Sequence, residues 1–171
     1  MKNGAIILIG FMGTGKSTAG RMLAERLGVE FVDTDEAIER ELGMSIPDIF
    51  RERGEAAFRA IETDMLKRLL DGSRRVVATG GGAVLAAENR AAMKAGGTVV
   101  ALKASPDTII RRVAGGEGRP LLAGDAAANV RRLFEQRRTA YDFADFTVMT
   151  DELSADEVVR RIMDYLSKES G

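Results

Sequence analysis

Short apolar runs alternate along the chain with longer stretches in which apolar positions recur every three or four residues. Ala5–Ile9 is an unbroken apolar run, the pattern of a strand covered on both faces. Val29–Val32, Val76–Thr79 and Thr98–Leu102 repeat it, and Thr147–Met149 is a weaker fifth. The stretches between them read as helices: Lys16–Leu27, stopped by Gly28, then Thr34–Leu42, Ser45–Arg53, Ala56–Leu70, Ala87–Ala95, Pro106–Val113, Ala126–Asp142 and Ala155–Lys168. Two helix starts are explicit. Ser154 and Glu157 have the spacing of a capping box, and Ser105-Pro106 reads as an N-cap followed by proline at the first helical position. Alternation of this kind predicts right-handed crossovers and an α/β fold, a parallel sheet with helices on both faces. Such sheets bind ligands beyond the C-terminal ends of their strands, so the chemistry should sit just after the apolar runs.

Composition narrows that chemistry. The 171 residues suit one domain with a proper core. The chain has no His and no Cys, which removes disulfides, thiolate nucleophiles, the usual zinc sites and the Ser–His and Cys–His mechanisms. A net charge of −1 argues against a generic polyanion binder, so no nucleic-acid partner is expected. No apolar stretch is long enough to cross a membrane and the N-terminus lacks a signal-peptide pattern, so a cytoplasmic protein without a membrane partner is expected. What remains is carboxylates, hydroxyls, backbone groups, Lys and Arg, with a hard metal ion. Arg supplies 19 of the 25 basic residues, and its planar fork suits carboxylate and phosphate.

Gly10-Phe11-Met12-Gly13-Thr14-Gly15-Lys16-Ser17 matches the phosphate-loop pattern in full and joins the first strand to the first helix, the context that pattern requires. Its glycines let backbone N–H groups converge on phosphate oxygens at a helix N-terminus. Lys16 can reach the β- and γ-phosphates, Ser17 can ligate Mg²⁺, and Thr18 is a further phosphate contact. Asp33-Thr34-Asp35 follows the second strand. One carboxylate can hold the Mg²⁺ shell and the other can orient or deprotonate an acceptor hydroxyl, although helix capping alone would explain one of the two. Gly80-Gly81-Gly82 follows the third strand, either as a turn or as a place where backbone approaches a ligand closely. Arg119 lies in a glycine-rich stretch bracketed by helices, as a lid would be, and could close over the transferring group. Arg59 and Arg137 are, by context alone, equally readable as surface cations or helix ion pairs.

Together these features resemble the shikimate kinase family over nearly the whole chain. The resemblance rests on the phosphate loop at 10–17, Asp33-Thr34-Asp35, Ser45-Ile46-Pro47-Asp48-Ile49-Phe50 and Gly54-Glu55 through Phe58-Arg59. It extends to Thr79-Gly80-Gly81-Gly82, Arg119-Pro120-Leu121-Leu122, and Arg137 four residues before Tyr141. It implies ATP-dependent phosphorylation of the 3-hydroxyl of shikimate, in aromatic amino-acid biosynthesis. It also implies a monomeric kinase of the nucleoside-monophosphate-kinase type spanning 1–171, with a five-stranded parallel sheet. A substrate-binding helical insert would occupy about 34–60 and a lid about 114–125. By motif position Asp35 would contact the ring hydroxyls and activate the attacking one, with Lys16 and Arg119 on the phosphates. Gly13, Thr14, Gly15, Ser17 and Thr18 would cradle the nucleotide, and Arg112 would stack on adenine. Arg59 and Arg137 would clamp the shikimate carboxylate, Gly81 would offer its N–H to the substrate, and Gly80–Gly82 would border the γ-phosphate. Ser17 and Asp33 would hold Mg²⁺, and Ile46, Phe50, Phe58, Pro120 and Leu121 would line the ring. The family often has a Pro near the start of the last helix on the far side of adenine. Residues 150–156 contain none, which predicts looser adenine packing.

Two other readings share parts of this pattern. A gluconate kinase on the same scaffold would keep the phosphate loop but need not combine Arg59, Arg137 and the glycine triplet. A non-catalytic nucleotide-binding regulator would be expected to lose Lys16, Asp35 or Arg119, and all three are present.

Overall fold

The computed structural model describes residues 3–114 and 126–171. The strands are β1 (Ala5–Ile9), β2 (Glu30–Asp33), β3 (Arg75–Ala78), β4 (Gly97–Lys103) and β5 (Phe146–Met149). The helices are α1 (Lys16–Leu27), α2 (Thr34–Leu42), α3 (Ile46–Leu69), α4 (Ala87–Gly96), α5 (Pro106–Ala114), α6 (Ala126–Gln136) and α7 (Ala155–Lys168), with a short 3₁₀ turn at Ala83–Leu85. All five strands are parallel, in the order β2-β3-β1-β4-β5.

Side chains of a strand alternate between faces, and the core divides accordingly. Ile7 and Ile9 of β1 join Val77, Val99 and Ala101 on one face, where Leu66, Met93, Ile109 and Val130 of the helices cover them. Ile6 and Leu8 join Val76, Val100 and Leu102 on the other, under Leu23 of α1 and Val159 and Ile162 of α7. Both faces are apolar, so β1 and β4 read as continuous apolar runs rather than alternating ones. A third, smaller cluster of Ile38, Ile49, Phe58 and Met65 holds α2 against α3.

The expected helix starts form. Ser154 accepts from the Glu157 N–H while Glu157 accepts from the Ser154 N–H, a complete capping box, and Ser105 Oγ accepts from Thr108 N at 3.3 Å ahead of Pro106. The two helices expected on either side of residue 54 join end to end as α3, but Gly54 between them is non-helical (φ 83°, ψ 168°), a conformation that residues with a Cβ avoid. The helix expected over Ala126–Asp142 ends instead at Gln136. Beyond it the bonds tighten to three-residue spacing, Arg138 N to Glu135 O and Ala140 N to Arg137 O, and the chain turns so that Tyr141 packs inward. No helix among the described residues is long and apolar enough to cross a membrane.

Candidate active site

The ends of β1, β2 and β3 lie side by side, because β3 pairs with both neighbours. Three loops therefore leave the sheet at one rim: the phosphate loop after β1, Asp33-Thr34-Asp35 at the end of β2, and the glycine triplet after β3. They line a common cavity of about 610 Å³ that reaches from Gly13 and Lys16 to Asp35 and Gly81.

Gly15 closes the phosphate loop in the left-handed conformation (φ 91°) as the N-cap of α1, with no side chain capping the helix. The first N–H groups of α1 are thereby left for an anion. Lys16 Nζ donates to the carbonyls of Gly10 at 2.7 Å and Phe11 at 2.9 Å, bracing the loop from within. The Thr14 hydroxyl is turned inward to Phe11 O at 2.8 Å, so Thr14 can offer a phosphate only its backbone N–H.

Asp33 does two jobs. One carboxylate oxygen accepts from Glu36 N at 3.1 Å and caps α2; the other accepts the Ser17 hydroxyl at 2.6 Å. Capping is thus the task of Asp33 and leaves Asp35 unaccounted for. Asp35 has a buried oxygen, Oδ1, with no hydrogen-bond partner. Burial, and then the charges of Asp33 and Glu62, raise its pKa from 3.8 to about 6, against a smaller lowering by Lys16. The Asp33–Ser17 pair is a hydroxyl and a carboxylate at the mouth of the loop. That fits Mg²⁺, which takes one or two protein groups and completes its shell with phosphate oxygens and water. Among the described residues no three acidic side chains gather into a metal cage.

The glycine triplet is a place of close approach. A Cβ on Gly80 would lie 2.9 Å from Asp35 Oδ1 and 3.2 Å from Glu62 Oε2. One on Gly81 would lie 3.6 Å from Arg137 Nη1, and one on Gly82 only 2.5 Å from Arg59 Nη2. Asp35, Arg59 and Arg137 therefore converge on one short stretch of bare backbone. That stretch is pinned on two sides, by Gly80 N donating to Thr34 Oγ1 at 3.3 Å and by Tyr141 Oη donating to Gly81 O at 2.8 Å.

Glu62, which belongs to none of the sequence motifs, organises this convergence. It is 1% exposed, accepts from Arg59 Nη1 at 2.9 Å, and keeps its other oxygen buried and unpartnered. Burial raises its pKa, while Arg59 and then Arg137 oppose the rise. A signal was present: Glu62 interrupts the apolar stripe Phe58, Met65, Leu66 of α3, and an acidic residue on a buried face needs a partner. Thr34 and Tyr141 are supports of the same kind, and no local motif states which backbone group each one holds.

Of the expected ring-lining residues, Phe58 is 3% exposed and belongs to the core. It carries the ring of Phe50 at 4.7 Å and the Arg59 guanidinium at 5.3 Å. Ile46 and Phe50 are half-buried around it. Arg112 donates to the Thr150 hydroxyl at 2.9 Å and carbonyl at 2.7 Å, on one wall of a cavity of about 210 Å³. Thr18 also lines it, and Leu153 and Ala155 stand in the stretch where the family's Pro is missing. Arg119, Pro120 and Leu121, and with them nearly all of the expected lid at 114–125, lie outside the described residues.

Known proteins resemble this chain over most of its length. The family model described as shikimate kinase matches residues 12–167. A shikimate kinase of Desulforudis audaxviator is 48% identical over 166 residues, 97% of this chain and 87% of that one. The shikimate kinase of Acinetobacter baumannii, solved in complex with shikimate, superposes with a TM-score of 0.89 at 37% identity, covering 97% of this chain and 94% of that one. A gluconokinase of Sinorhizobium meliloti is similar in fold alone, with a TM-score of 0.58 at 20% identity over 99% of this chain and 98% of that one.

Proposed function

The chain belongs to the shikimate kinase family, and from that premise we propose how its residues divide the work of transferring a phosphoryl group from ATP to shikimate. The activity is that of an ATP-dependent shikimate kinase. The observation that carries the residue assignment is the convergence of Asp35, Arg59 and Arg137 on the Gly80–Gly82 backbone, one strand away from the phosphate loop.

Phosphoryl transfer needs positioning and charge stabilisation more than covalent chemistry. Shikimate is a ring with one carboxylate and three hydroxyls. Arg59 and Arg137 bind the carboxylate from two sides, and the charge-assisted bonds fix the ring's orientation. Glu62 holds the Arg59 guanidinium in place. Asp35, at the Gly80 end of the triplet, accepts a hydrogen bond from the 3-hydroxyl and takes its proton as the 3-oxygen bonds to the γ-phosphorus and the bond from that phosphorus to the β,γ-bridging oxygen breaks, releasing ADP. Its raised pKa makes it a stronger base than an exposed Asp, yet keeps it ionised at neutral pH.

The backbone N–H groups at 13–18 and Lys16 bind the β- and γ-phosphates, the Lys16 ammonium exchanging loop carbonyls for phosphate oxygens. Ser17 and Asp33 hold Mg²⁺, which when bound offsets the charge of the phosphates. Arg112 packs against adenine, with Leu153 and Ala155 opposite in place of the family's Pro. Arg119, outside the described residues, is assigned to charge stabilisation of the phosphates by its place in the Arg119-Pro120-Leu121-Leu122 motif alone. The protein acts as a monomer.

An ADP-release assay with shikimate, quinate and gluconate side by side tests the reading. Turnover with shikimate at least about a hundredfold above the other two is expected, the discrimination reached when a site's buried polar groups are left unpaired by the wrong substrate. Equal or greater turnover with gluconate would overturn it.

A further inference from the structure

Among the described residues there is a further cavity of about 180 Å³, which meets the 210 Å³ nucleotide cavity only at Thr14. It lies between the end of β4 and the turn after α6, and it shares no lining residue with the 610 Å³ cavity. Its wall is mostly apolar: Phe11 and Phe134, edge to face at 5.7 Å, with Leu102, Tyr141 and Met149. Met149 is 54% exposed, one of two large hydrophobic side chains so exposed among the described residues.

Besides Thr14 and Ala104, the remaining lining groups are cationic. Lys103, Arg137 and Arg138 all border the cavity. Lys103 is paired with Asp142 at 2.8 Å and Arg138 with Glu135 only at 3.8 Å, both acids being more than half exposed. Ion pairs so open to water exchange readily for another carboxylate. The size fits a single ring: an apolar cavity of about 150 Å³ is enough to take up benzene.

We propose that this cavity binds a single-ring carboxylate, with the ring among Phe11, Phe134, Tyr141 and Met149 and the carboxylate against Lys103, Arg137 and Arg138. Binding there has a consequence for the reaction. Arg137 is the wall between this cavity and the glycine triplet, its Nη1 lying 3.6 Å from the Cβ position of residue 81. Tyr141 spans the same divide through its bond to Gly81 O. A carboxylate that draws Arg137 into the cavity draws it from shikimate, so the two ligands oppose each other. This coupling rests on the role of Arg137 proposed above; the binding itself does not.

Benzoate is a suitable probe, and Met149→Trp fills the mouth of the cavity from a position outside the catalytic machinery. By calorimetry without shikimate, benzoate should bind the parent and fail to bind Met149→Trp. In the parent, the KM for shikimate should rise about fivefold or more and then level off, since coupling between separate sites is finite, with kcat unchanged. In Met149→Trp, benzoate should leave the KM alone and basal kinetics should match the parent. A KM that climbs without limit, equally in both proteins, would place benzoate in the shikimate site and overturn the proposal, as would the absence of calorimetric binding to the parent. Binding that Met149→Trp abolishes, without any change in KM, would uphold the cavity and overturn its coupling to Arg137.

Discussion

Asp35 is a carboxylate that the fold burdens. One oxygen is buried without a partner, and Asp33 and Glu62 add like charge. Because its folded pKa, about 6, exceeds its ordinary 3.8, the folded state holds the proton more tightly. Stability from this group is therefore full below 3.8 and is lost as pH rises through about 6. The interval corresponds to at most about 3 kcal/mol, and partial contact with water reduces it to about 1–2 kcal/mol. Asp35→Asn should accordingly be more stable than the parent at pH 8 and equal to it near pH 3.5, measured by urea unfolding at both. In the parent, kcat/KM for shikimate should fall about tenfold per pH unit below about pH 6 as the base is protonated. Glu62→Gln removes one of the charges that raise Asp35, so the acid limb of the profile should move to lower pH while the KM for shikimate rises. A change of KM with no movement of the limb would reduce Glu62 to a prop for Arg59. The sequence disclosed Asp35 through its place after an apolar run. Glu62 sits in mid-helix, and its role depends on which way α3 faces, which no local motif states.

At the scale of elements, the strands and most helices were legible because each carries its own signal: unbroken apolar runs for β1 and β4, a capping box for α7, glycine after α1. The end of α6 was not. The apolar period continues through Phe134, Ala140 and Tyr141, yet the chain leaves the helix at Gln136. The bond from Tyr141 Oη to Gly81 O, sixty residues away in sequence, competes with helical continuation. The glycine triplet shows the same limit. Its sequence is compatible with a turn, and only the assembled structure shows four side chains, Asp35, Arg59, Glu62 and Arg137, close against it. The test belongs to this scale. Gly82→Ala places a Cβ 2.5 Å from the Arg59 guanidinium, which must move. The KM for shikimate should rise tenfold or more, corresponding to about 1–2 kcal/mol of lost carboxylate binding, while the KM for ATP changes little. Equal effects on both substrates would mean that the triplet serves the nucleotide instead.

The whole molecule brings residues from β1, β2, β3 and the turn after α6 to one rim, and that assembly follows from a sheet order, β2-β3-β1-β4-β5, that no single segment encodes. Ligands should report on this assembly through stability. Shikimate at a hundred times its dissociation constant should add about 2.7 kcal/mol, a rise in melting temperature of about 5–10 °C for a chain of this size. Gluconate should add nothing, and Arg137→Ala should lose the response to shikimate but keep that to ATP. The near-zero net charge of the chain conceals an uneven distribution, with Lys16, Arg59 and Arg137 brought to one rim beside the buried carboxylates of Asp35 and Glu62. The account stands most directly on Asp35 as the group that engages the attacking hydroxyl. Turnover with shikimate by Asp35→Asn, measured beside its ATP affinity, decides it. The expected result is a loss of about a hundredfold or more in kcat, the usual contribution of a general base, with ATP binding within about twofold of the parent. Turnover within about tenfold of the parent would contradict the role assigned to Asp35.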